Sequence, residues 1–113
     1  MDLGRLLLSF EGRINRQPYW LFVLAVVAIE AALLAISGDS YGLLIVFGFA
    51  IIWPSLAMQV KRWHDRDKSG WWILITLVPL IGPIWSLIEV GFLRGTVGPN
   101  RYGPDPLAGP QTA

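Results

Sequence analysis

Three long apolar runs separated by short polar connections dominate the chain. They extend from Tyr19 to Ile36, from Tyr41 to Val60 and from Trp71 to Leu93. Ser37-Gly38-Asp39-Ser40 divides the first two, and no Lys or Arg occurs between Arg16 and Lys61. Crossing hydrocarbon takes about 20 helical residues, with a range of roughly 17–25, and all three runs fit. Three such helices in a short water-soluble chain would have nothing to cover them. The pattern therefore predicts an all-α membrane protein with three transmembrane helices, over about residues 19–36, 41–60 and 71–93. Residues 1–106 would form a single membrane domain, and 107–113 a disordered tail. The first run exceeds the roughly 7–15 residues of a signal-peptide core and lacks a small-x-small cleavage site, so it reads as an uncleaved anchor.

Pro79, Gly82 and Pro83 interrupt the third run. A kinked crossing is the preferred reading, since Pro is tolerated in membrane helices; a re-entrant hairpin returning the tail to its starting side is the alternative. Before the first run, Leu3, Leu6, Leu7, Phe10 and Ile14 recur at helical spacing, which predicts a short N-terminal interfacial helix. Tyr19, Trp20, Tyr41, Trp63, Trp71 and Trp72 sit where headgroup-level aromatics belong.

Charge sets the orientation. Arg5, Arg13 and Arg16 precede the first run, and Lys61, Arg62, Arg66 and Lys68 follow the second, while the connection around Asp39 has no base. Basic ends stay in the cytoplasm, so the N-terminus is expected there. A full third crossing would send Arg94 and Arg101 outward, against the rule.

Within the runs, Ala25, Ala28, Ala32 and Ala35 share one face, suited to close helix packing. Tyr41, Gly48, Ser55, Gln59 and Arg62 form a stripe expected to face Pro79, Gly82, Ser86 and Glu89. Glu30 and Glu89 are the acids inside apolar runs, where a charge costs about 2.5–3.5 kcal/mol at mid-membrane. Glu89 reads as a snorkelled acid near Arg94. Glu30 falls opposite the alanines, towards lipid or a second copy.

Composition agrees: 54% of residues are hydrophobic and 15% charged, against about a quarter charged in a soluble domain. The net charge of +1 gives no global field for nucleic acid. With no cysteine, disulfides, thiolate metal sites and thiol nucleophiles are excluded.

Polar information is concentrated in three segments: Phe10 to Trp20, Lys61 to Trp72, and Gly95 to Pro106. Gly12, Arg13, Arg16, Tyr19 and Trp20 are followed by Arg62, His64, Asp65, Lys68, Ser69, Gly70 and Trp71. Pro79-Leu80-Ile81-Gly82 and Asn100-Arg101-Tyr102-Gly103-Pro104-Asp105-Pro106 complete the set. Together these motifs resemble the bacterial family catalogued as domain of unknown function 805, small inner-membrane proteins, over about Phe10 to Pro106. Lys61 stands where that family usually has Arg. The resemblance implies an inner-membrane location and no particular activity.

His64-Asp65 invites an enzymatic reading, but His64 is the single histidine, and zinc sites take three or four ligands. No catalytic constellation, cofactor site or metal site is visible. Ion pairing is simpler: Lys61 and Arg62 lie four and three residues before Asp65. A candidate headgroup-binding or structural cluster comprises Arg13, Arg16, Arg62, His64, Asp65, Arg66, Lys68, Ser69, Asn100 and Arg101. Bases at an anionic surface contribute about 1 kcal/mol each, and the Ser69 hydroxyl is expected to cap the third helix. The expected function is a non-enzymatic structural or interaction component, self-associating and in contact with membrane lipids. The alternatives are a module binding anionic headgroups or a membrane partner, and a subunit of a small channel or transporter.

Overall fold

A computed structural model describes residues 2–107. The tail expected to be disordered lies outside them except for Leu107. All named elements are helical, and the described residues contain no strand beyond an isolated bridge between Asn100 and Gly103. In order, they are α1 (Leu3–Leu8), α2 (Arg16–Ser37), α3 (Gly42–Ala50), α4 (Ile52–Asp65), a 3₁₀ segment (Gly70–Leu77), α5 (Ile81–Ser86) and a π-helical turn (Leu87–Phe92).

Local chemistry explains most of the boundaries. Asp2 caps α1, its carboxylate accepting from the Arg5 amide at 2.8 Å, the usual use of Asp at this position. Pro18 lies in the first turn of α2, where a missing N–H removes no helical bond. Gly38 ends that helix at φ 60°. The 22 residues of α2 reach about 33 Å, and it is the one described helix long and apolar enough to cross a membrane unaided.

The second apolar run is bent. α3 and α4 pass the same length and composition test only as a pair, with 41° between them. Pro54 has no N–H for the Ala50 carbonyl, and its ring crowds that turn. The helix accordingly breaks at Ile51, between bonds from Ile51 N to Phe47 O and from Ser55 N to Ile51 O.

The third run does not form one helix. The 3₁₀ segment reaches about 16 Å, and α5 with the π turn about 18 Å, each well short of a 30 Å core. Between them the chain reverses through a γ-turn at Pro79-Leu80-Ile81. The Ile81 amide donates to Pro79 O at 2.7 Å, with Leu80 at φ 65° and ψ −60°, a rare and strained geometry for a bulky residue. Gly82 then passes so close to the 3₁₀ segment that a Cβ would lie 1.8 Å from Ile75 O. The Trp72 and Trp85 rings lie 6.5 Å apart, whereas a straight helix would separate those residues by about 20 Å. Lys68, before the run, pairs with Glu89 near its end at 2.6 Å. The continuous kinked helix preferred from the sequence is therefore corrected to a hairpin with both ends together. Hydropathy alone could not separate the two, because a hairpin and a crossing need the same apolar composition.

Other expectations also change. The four stripe alanines of α2 are exposed, and α2 packs instead through a half-buried face containing Phe22, Val26 and Leu33. The premise that put Glu30 opposite a packed alanine face is thus reversed, and Glu30 is exposed too. Ser55 and Gln59 line a small hollow against α2, and of the stripe Arg62 is the member bonded to the hairpin among the described residues. The short N-terminal helix expected from the sequence is present as α1, and it packs along α4: Lys61 Nζ donates to Arg5 O at 2.8 Å, and Trp53 Nε1 to Leu8 O at 2.8 Å.

Burial is polarised. α2 has no buried residue, while the last two turns of α4, from Ala57 onward, are almost wholly enclosed. Leu24, Phe49 and Leu80 are 63%, 72% and 80% exposed, far more apolar surface than water normally meets. The packed core sits at one end of the molecule, around polar side chains.

Candidate functional site

That core is a knot tied by two arginines on one aspartate. Asp65 ends α4, and its carboxylate accepts from Arg13 Nε at 2.8 Å and from Arg62 Nη1 at 2.5 Å. Arg13, Arg62 and Asp65 are 5%, 0% and 2% exposed. Burial of this order is tolerated only when charges are paired and their remaining hydrogen-bonding groups satisfied. The tail supplies the satisfaction. Arg13 Nη2 donates to Thr96 O at 2.6 Å, Arg13 Nη1 donates to Gly98 O at 2.9 Å, and the Thr96 amide donates to Asp65 O at 2.6 Å. Gly95 fits because it has no side chain: a Cβ there would lie 2.1 Å from Asp65 Oδ2.

Arg62 faces the other way, into the end of the hairpin. A helix leaves its last carbonyls without partners, and in the π turn side chains from the first two polar segments meet them one by one. Arg62 donates to the carbonyls of Glu89, Val90 and Leu93 at 3.5, 2.5 and 2.7 Å. Trp20 Nε1 reaches Gly91 O at 2.7 Å, and Arg16 reaches Phe92 O at 2.9 Å. Cations here also sit at the negative end of the helix dipole. The Glu89 side chain is clamped by Arg66 at 2.8 Å and Lys68 at 2.6 Å. Its expected neighbour Arg94 turns instead to Asp105, at 3.4 Å.

His64 has a structural setting as well. Its Nδ1 lies 2.8 Å from Gly12 O, which can only accept, so this nitrogen donates. Tyr102 stacks on the ring at 3.9 Å with 3° between the planes, and Asn100 donates to His64 O at 2.9 Å. Of the expected site residues, Arg13, Arg62, Asp65, His64 and Asn100 thus come together, with Arg16, Arg66 and Lys68 alongside. Arg101 pairs at the exposed rim with Asp67, at 3.3 Å. Glu30 is remote on α2. Ser69 precedes the 3₁₀ segment, but its side chain makes no capping bond, so the expected cap is not found. Sequence reasoning left out Trp20, Gly95 and Thr96 as site residues. Trp20 and Gly95 stand inside the polar segments, but nothing local signals that their partners are backbone atoms or a distant carboxylate.

Asp105 holds the tail loop, accepting from the Gly98 and Leu107 amides at 2.9 Å each. These bonds keep its carboxyl below the ordinary carboxylate value. A depressed folded value stabilises above the unfolded value, and the stabilisation disappears as pH falls through the folded one. The melting difference between wild type and Asp105→Asn should therefore be full at neutral pH and shrink on acidification below about pH 4. A difference independent of pH would refute this role.

The described residues contain no group of three or more His, Asp or Glu placed to hold a metal ion. What fold and site define is a small all-helical protein whose polar motifs join its N-terminal segment, the end of α4, the hairpin and the tail. The chain belongs to the family described as protein of unknown function DUF805, which matches residues 7–104. It is similar to Inner membrane protein YhaH of Escherichia coli (strain K12), 36% identical over 111 residues that cover 90% of each chain. Inner membrane protein YhaI of the same organism is 39% identical over 107 residues, covering 89% of this chain and 88% of the relative. Uncharacterized protein YiiR, also of that strain, is 28% identical over 132 residues, covering 93% and 90%. No solved structure gives a significant match.

Proposed function

We propose that this is an integral protein of the bacterial inner membrane that serves as a non-enzymatic structural or interaction component. Its relatives named as inner membrane proteins support the location, as do the length of α2 and the exposed apolar surface. One observation carries the rest: Arg13, Asp65 and Thr96 are bonded to one another. Segments around all three must then share one side of the membrane, whichever side that is. The distribution of bases supports the cytoplasmic side. On this reading α2 and the bent α3–α4 pair cross, and the third run enters and returns, shielded on one flank by α4. The bonds of the knot occupy Arg13, Arg62 and Asp65, three of the side chains that could have acted as bases or headgroup ligands.

The cysteine-free sequence suits a labelling test. A cysteine replacing Ser40, between α2 and α3, should react in intact cells with a membrane-impermeant maleimide. One replacing Val97, which is 74% exposed, should react only after lysis. Labelling of Val97→Cys from outside would restore the third crossing and overturn this topology.

A further inference from the structure

Beside the knot, two hollows adjoin. The first, about 710 Å³, is of mixed polarity, with walls that include Arg5, Glu11, Asn15 and Tyr102. The second is apolar, about 480 Å³, between α1, the first half of α2 and the α3–α4 bend, with Leu7, Leu21, Phe22 and Phe47 among its walls. Leu6 and Pro18 line both, so an apolar trough lies beside a mouth that carries charged side chains. Each has the size of a small-molecule site, about 300–1,000 Å³. The mouth lies at the polar end of the molecule and the trough runs along α2 to Ile29. Polarity therefore falls along this path in the same sense as from headgroup to acyl chain.

The charges at the mouth select an occupant. Arg13 and Asp105 are already engaged with each other and with the tail. Lys61, behind α1, donates to the carbonyls of Arg5 and Leu6. Among the described residues, the side chains of Arg5 and Glu11 make no hydrogen bond or ion pair, and both residues are exposed. One free cation and one free anion therefore flank the same opening. A phosphate beside a primary ammonium complements that pair. A purely anionic headgroup would meet the Glu11 charge, and a quaternary ammonium has no N–H for its carboxylate.

Building on the membrane location proposed above, we propose that trough and mouth bind one phosphatidylethanolamine molecule. An acyl chain lies between α1 and α2, the phosphate rests against Arg5, and the ammonium against Glu11. Lipid of this kind would fill the groove that α1 and α2 leave open and hold α1 against α4.

The test uses full-length protein in detergent, loaded in turn with phosphatidylethanolamine, phosphatidylcholine and phosphatidylglycerol. Retained lipid is counted by native mass spectrometry. Wild type should keep one phosphatidylethanolamine per chain, with the other two held about tenfold more weakly, the value of one charged hydrogen bond. Arg5→Glu should cost a similar factor, and Arg5→Glu with Glu11→Arg should recover part of it. Ala25→Trp, filling the trough from its exposed wall, should reduce retention of all three lipids. Equal retention of the three lipids by wild type, or undiminished retention in Arg5→Glu, would overturn the site. If wild type leaves the membrane in alkaline carbonate without detergent, the membrane reading fails and the site with it. Protein that still requires detergent but shows no lipid preference overturns the site alone.

Discussion

Asp65→Ala should be among the most destabilising single substitutions in this chain. The change leaves the Arg62 guanidinium buried with carbonyl partners and no countercharge, and leaves Arg13 with Asp105 alone as countercharge, at 3.9 Å. Removing one partner of a buried ion pair costs about 3–5 kcal/mol, and here one carboxylate serves two cations. Folded domains are stable by only about 5–15 kcal/mol, so most of the margin is removed. In detergent, the melting temperature followed by tryptophan fluorescence should fall by more than about 10 °C. Arg101→Ala provides the control. Its pair with Asp67 is at the rim, with Arg101 67% exposed, and such pairs contribute about 0–1 kcal/mol. If both variants melt within about 2 °C of wild type, the knot does not hold the fold together.

How much of this was legible beforehand depends on what kind of partner each residue takes. α2 was readable because its 22 residues are mostly apolar and hold no glycine, and no proline beyond the first turn, so nothing local breaks the helix. Arg62 to Asp65 was readable because helix geometry sets three-residue neighbours side by side. Arg13 was recognisable as part of a motif, but its partners Thr96 and Gly98 act through backbone carbonyls, which every residue possesses and no sequence marks. The same holds for Arg16 and Arg62 at the end of the hairpin. A base beside an apolar run has the same appearance whether it faces a lipid phosphate or a row of unpaired carbonyls. The alanine face of α2 was visible as a periodicity, but periodicity does not say whether a neighbour belongs to the same chain. Within the third run, the one sign of reversal was Pro79-Leu80-Ile81-Gly82, and proline and glycine there suit a kink equally well. What separates kink from turn is Leu80 at positive φ, a conformation its side chain gives no reason to expect.

That turn makes Gly82 the second position of large expected effect. The Gly82 amide donates to Val78 O at 2.9 Å, which keeps α5 tight against the 3₁₀ segment. An added Cβ would lie 1.8 Å from Ile75 O and 2.9 Å from Ile75 C. These are backbone atoms, so no rotamer change relieves the clash and the two legs must separate. Overpacking in a core costs about 1–3 kcal/mol and more when the surroundings cannot adjust. Gly82→Ala should therefore lie at or above the top of that range. Its consequence is specific: parting the legs pulls Glu89 away from Arg66 and Lys68 and draws the carbonyls of residues 89–93 off Arg62, Trp20 and Arg16. On the proposed topology, the tail in the Val97→Cys background should then become partly reactive from outside the cell, because only its own bonds to Arg13 and Asp65 would still hold the third run to its starting side. Leu80→Gly should act in the opposite direction. It removes a positive-φ strain of about 1–3 kcal/mol at a side chain that is 80% exposed, against a glycine entropy cost of about 0.5–1 kcal/mol. A Gly82→Ala protein that melts with wild type and keeps residue 97 shielded would show that the hairpin does not depend on the close approach at Ile75.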